Sequence, residues 1–219
     1  MKKMFLLSPI LFVVWALVLT FLMLVLSAQT IDTITQDWNI IDCTNYTLYL
    51  MAFLSFIICR KDFAGKYKEW MLMIILLITA VLREMGAQHW LTEHDTTAIK
   101  LRFFTNPNNP LSEKIITALV VLAVVGAALY LLIKNIRFLI LGVFKFNPIA
   151  WTVGGLFGTA VVSKIFDRLP GNIKKYTGSP LDFDTHMNIQ IFEEGFEMLL
   201  PAMVILAIWQ YHYLKKKEQ

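Results

Sequence analysis

Long apolar runs alternate with short polar stretches along this chain, and most of the runs are long enough to cross a bilayer as a helix. The first covers residues 4–26, behind Lys2 and Lys3. It is too long for a signal-peptide core, and cleavage after Ala28 would put the bulky Leu26 at the −3 position. The second covers 40–59 and runs into a basic turn, Arg60 to Lys68. The third, 70–90, is flanked by Trp70 and Trp90 and is apolar as far as Leu82, after which it carries Arg83, Glu84 and His89. The fourth covers 115–133, with Ser112 and Glu113 suited to the start of its helix. The fifth covers 148–166 and the sixth 188–211.

Residues 29–39, 91–114 and 167–187 read as polar loops. Turn signals stand at 106–110, at Pro170-Gly171 and at 178–180. Residues 134–147 are ambiguous. The preferred reading is an interfacial amphipathic helix with Lys134, Arg137 and Lys145 at the surface, and the alternative is part of an over-long span. Asn147-Pro148 marks a break and restart, because proline is tolerated in a first helical turn. The pattern predicts an all-α, polytopic membrane bundle of about six helices (five to six) in a single domain, 1–219. The basic turn after the second run and the lysines at 215–217 expect both termini in the cytoplasm.

Composition agrees. Of 219 residues, 57% are hydrophobic and 16% charged, against about a quarter charged in soluble domains. The net charge of +4 comes from lysines clustered between apolar runs. That pattern orients loops in a bilayer and does not signal a nucleic-acid partner. Cys43 and Cys59 lie at opposite ends of the second run, about 24 Å apart on a helix, too far for a disulfide. Both are expected to be free thiols.

The chemistry concentrates on the sixth run. His186, Gln190, Glu193, Glu194 and Glu197 recur at helical spacing and form one polar stripe. Glu197 lies about 14 Å from Asn188 at helical rise, near a bilayer midplane. A charge there costs at least about 2.5 kcal/mol if it faces lipid, so the stripe must face other helices or a wet cavity. Pro201 removes the hydrogen bond to the Glu197 carbonyl and favours a local kink. Arg83 sits about 10 Å from Trp90, at the depth of these acids. It is expected to pair with Glu194 or Glu197 through its two-pronged guanidinium. Glu84, Glu193, Glu194 and Glu197 outnumber that arginine, an imbalance that a bound proton or cation would close.

On the fifth run, Ala150, Gly154 and Gly158 form a small-residue stripe that allows close helix packing, within the chain or between copies. Among the loop residues His89, His94, Asp95, Asp182, Asp184 and His186, a metal site would draw on His89, Asp184 and His186. Neither His-x-x-x-His nor Cys-x-x-Cys spacing is present, so no metal or cofactor is expected. His212 reads as an interfacial residue beside the lysine tail. Walker A, Gly-x-Ser-x-Gly and Gly-x-Gly-x-x-Gly motifs are missing from the sequence.

These features favour a non-enzymatic, multi-pass protein of a bacterial-type inner membrane. It would act as a sensor, anchor or assembly subunit, with lipid and a homo-oligomeric, membrane or cytoplasmic protein partner as its contacts, for example an effector in a stress or defence system. A proton or cation channel or small transporter using the glutamates is the first alternative. A metal-dependent intramembrane lipid hydrolase, with Glu193 or Glu194 as base, is the second.

Overall fold

The computed structural model describes residues 3–36, 39–86 and 101–218. All regular structure among them is helical: α1 (Leu7–Val25), α2 (Ala28–Thr35), α3 (Ile40–Ile58), α4 (Tyr67–Glu84), α5 (Leu101–Thr105), α6 (Leu111–Phe144), α7 (Pro148–Thr177) and α8 (Phe183–Glu218). Short 3-10 turns, Met4–Leu6 and Cys59–Phe63, precede α1 and follow α3. Among the described residues, four helical segments are long and apolar enough to cross a membrane: Met4–Val25, Ile40–Phe63, Leu111–Phe144 and Pro148–Thr177. Charge dilutes the other two long helices. Helix α4 carries Lys68, Glu69, Arg83 and Glu84, and α8 carries its acids in its first half and three lysines in its last turn.

The chain divides into two compact units. The first holds residues 1–62 and 137–219. Its centre is α8, which packs against α1, α2, α3 and, most extensively, α7. Leu19, Phe196, Leu199 and Met203 form its main core, with Phe12, Trp15, Leu156, Phe166 and Phe192 packed around them. Phe12 stacks on Phe196 at 5.3 Å between ring centres, and Phe166 stacks on Phe192 at 5.2 Å. A second cluster joins Ile31 of α2 to Met187 and Ile191 of α8. Gly195 lets α1 come close, because a Cβ there would stand 2.3 Å from Leu19 Cδ2.

Several boundaries differ from the sequence expectation, each for a local reason. Residues 29–39 are not all loop. Ser27 caps α2 by accepting from the Thr30 N–H at 3.3 Å, and burial of Ile31 holds the helix down. Residues 134–144 are not a separate interfacial helix but continue α6, a helix of 34 residues. No proline interrupts this stretch, and the apolar residues carry on through it. The restart at Pro148 is present: Asn147 Oδ1 accepts from the N–H groups of Ile149 and Ala150, at 3.0 and 3.3 Å. Ser112 lies inside the first turn of α6 rather than capping it. Residues 167–177 are helical, since α7 continues through Pro170 and stops only at Gly178, in the left-handed region with φ 76°.

The second unit spans residues 63–136. Within it Lys134 pairs with Glu69 and lies over the Tyr130 ring. The Asn109 amide donates to the Phe103 carbonyl at 2.8 Å.

Candidate functional site

Helix α8 carries acids because it is wrapped by protein. Its residues 195–199 form a continuous buried stretch, and Glu197 lies within it at 9% exposure. The opposing face of α7 is small and hydroxylated: Thr152, Gly155, Thr159 and Ser163 follow one another at helical spacing. Ser163, 2% exposed, donates its hydroxyl to Glu197 Oε1 at 3.3 Å. Thr159 satisfies its own hydroxyl on the Gly155 carbonyl at 2.9 Å. One turn nearer the start of α8, a pocket of about 240 Å³ is lined by Pro170 of α7 and by His186, Ile189, Gln190, Glu193 and Glu194 of α8. The acidic stripe thus grades from a pocket to a buried carboxylate. Pro201 sits inside α8 and lacks the N–H that would bond the Glu197 carbonyl.

The same interface has a second polar contact further along. Thr152, fully buried, donates to Gln210 Oε1 at 2.7 Å, and the Gln210 amide donates to the Met4 carbonyl at 3.3 Å. Trp15 Nε1 donates to the Gly195 carbonyl at 2.7 Å, tying α1 to α8 beside Glu197. The buried Thr152 and Gln210 side chains are thus partnered within the bundle, as burial away from water requires, whereas the buried Ser8 hydroxyl has no hydrogen-bond partner.

The far end of α8 is organised around Asp62, in the 3-10 turn after α3. His212 Nδ1 lies 2.6 Å from Asp62 Oδ2, the Tyr211 hydroxyl donates to the Asp62 carbonyl at 3.3 Å, and Lys215 donates to that same carbonyl. Trp209 Nε1 donates to Ser55 Oγ at 3.2 Å. His212, expected at an interface beside the lysine tail, is half-buried and bonded to a carboxylate.

Of the sequence-predicted residues, Gln190, Glu193, Glu194 and Glu197 share the α7-facing region of α8. Arg83 and Glu84 close α4, in the second unit. Ala150 is buried, and a Cβ added to Gly142 would stand 2.6 Å from its Cβ. Gly154 and Gly158 are exposed, with no atom in reach of an added Cβ. The small residue that does face α8 is Gly155, next to Met203. Asp184 and His186 are exposed in the first turn of α8, and His89, like His94 and Asp95, falls outside the described residues. Asp182 caps α8: its carboxylate accepts from the Thr185 N–H at 3.0 Å. That bond and one from the Thr185 hydroxyl hold its carboxyl below the ordinary range.

Sequence reasoning missed Ser163, Thr152, Gln210 and Asp62. A signal existed for the first two, since Thr152, Thr159 and Ser163 mark a hydroxyl stripe one position round from the glycines. For Gln210 and Asp62 the signal was only a polar residue at the edge of an apolar run. Chemically, the α7–α8 seam offers carboxylates at graded depth, a hydroxyl donor and a small polar pocket. These are the side-chain types able to bind a proton or a cation. No family model, curated protein or solved structure matches the chain, so this geometry carries the functional reading.

Proposed function

We propose that this chain is a multi-pass inner-membrane protein of about six spans with both termini in the cytoplasm, acting without catalysis as a sensor, anchor or assembly subunit. Proton or cation occupancy of the acidic face of α8 sets its state. The observation that carries this reading is the buried Glu197 carboxylate, bonded to Ser163 and placed beyond a pocket lined by Glu193 and Glu194. Ionisable side chains inside a membrane bundle are costly, which makes them functional candidates. A ligand that binds one charge state better shifts the population between states.

The test follows thermal stability and oligomeric state of the purified chain in detergent, across pH and with added mono- and divalent cations. The wild type should respond, and Glu197→Gln, which keeps the shape and the serine contact, should flatten the response. A wild type indistinguishable from Glu197→Gln overturns the reading. Reporter fusions after Gly65 and after Lys217 test the topology, and both are expected to report a cytoplasmic location.

A second reading, proton or cation conduction, is favoured by Glu193 and Glu194 lining a pocket one turn before the buried Glu197. Flux into liposomes holding the wild type should then exceed that of Glu197→Gln. Flux at background for both ends it.

A further inference from the structure

The Asp62 end of α8 carries a constellation that the acidic face does not need. The turn Cys59–Phe63 is a 3-10 helix, in which residues three apart eclipse. The spacing Cys59-x-x-Asp62 therefore puts a thiol and a carboxylate on one side of a single turn. Helix α8 brings His212 onto the same point. One ligand atom from each of Cys59, Asp62 and His212 lies within 4.8 Å of the other two. Cys59 is 2% exposed, and Asp62 and His212 are half-buried.

We propose that Cys59, Asp62 and His212 form a binding site for a first-row transition-metal dication of the zinc type. Thiolate, imidazole and carboxylate are the three side-chain donors such an ion takes, and three protein ligands leave a fourth position for water or another donor. The charges also balance. A dication held by a thiolate, a carboxylate and a neutral imidazole has no net charge, so the buried complex carries little desolvation cost.

Lys215 donates to the Asp62 carbonyl. The contact between His212 Nδ1 and Asp62 Oδ2, at 2.6 Å, opens to about 3.3 Å around a tetrahedral ion with ligand distances near 2.0 Å. That is a side-chain adjustment on two anchored elements. The site lies at the end of α3 that enters the lysine-rich turn, which charge asymmetry expects in the cytoplasm. A reducing compartment keeps the thiol available. Metal would lock the end of α3 to the end of α8, at the opposite end of α8 from the acidic pocket.

Cobalt(II) titration of the untagged full-length chain in detergent micelles tests this, because thiolate ligation produces a near-ultraviolet sulfur-to-cobalt charge-transfer band. The wild type should take up one equivalent with that band, and zinc should bleach it. Cys59→Ser should abolish the band. His212→Gln and Asp62→Asn should each weaken cobalt binding by about tenfold or more. Cys43→Ser should change nothing. The proposal falls if the wild type shows no band at micromolar cobalt, if the band survives Cys59→Ser or depends on Cys43, or if His212→Gln binds as tightly as wild type.

Discussion

Near its start, α8 lines a pocket with Gln190, Glu193 and Glu194 and buries Glu197 against Ser163. Near its end, the same helix brings Tyr211, His212 and Lys215 onto Asp62, and buries Gln210 against Thr152. The first half holds carboxylates beside small hydroxyl side chains and open volume. The second half holds one carboxylate in a fully built set of donors. A helix with polar residues throughout is therefore two devices in series. One leaves open volume beside its carboxylates, and the other ties the helix end to the turn after α3.

That contrast can be broken most severely at Glu197. Glu197→Lys would leave an uncompensated cation in the buried stretch, at a cost on the order of 3–5 kcal/mol. Thermal unfolding and size-exclusion in detergent should show loss of the folded species, whereas Glu197→Gln stays near wild type. Next comes Gln210→Leu, which strands the buried Thr152 hydroxyl and should cost about 1–3 kcal/mol. Adding Thr152→Val should recover part of that loss, because removing both partners is milder than removing one. A full additive penalty in the double variant would show that the contact is not a pair.

Gly195→Ala should cost about 1–3 kcal/mol by overpacking Leu19. Leu19→Ala in the same chain should relieve the clash, read as a non-additive pair of unfolding midpoints. The smallest effect is expected at Asp182. Its carboxyl is held below the ordinary range by Thr185. Its contribution is therefore present above the unfolded carboxylate range and lost as pH falls through the lowered folded value. Asp182→Asn should lag wild type slightly at neutral pH and converge with it in acid.

Much of this was legible in the sequence because bilayer length is a strong constraint. The apolar runs located α1, α3, α6, α7 and α8. Helix ends were less legible. Pro170-Gly171 reads as a turn, yet helix α7 spans it, since a helix packed on a neighbour tolerates the loss of one hydrogen bond. Of the small-residue stripe on α7, Ala150 packs within the chain while Gly154 and Gly158 are exposed. Gly154 and Gly155 are adjacent, and only tertiary contact decides which of them meets Met203. The ties at Asp62 were out of reach, because they join residues about 150 positions apart.

The central place of α8 has a consequence for how the chain comes together. Helices α1, α2 and α3 pack on a helix synthesised more than a hundred residues after them. Their contacts with one another are few beside those with α8. The first unit therefore cannot complete its core until residues 183–218 are made, although α1 already has α7 to pack against. The helix that completes it follows α7 after a short turn. Completion of this core therefore falls late in synthesis, when α8 joins the helices made before it.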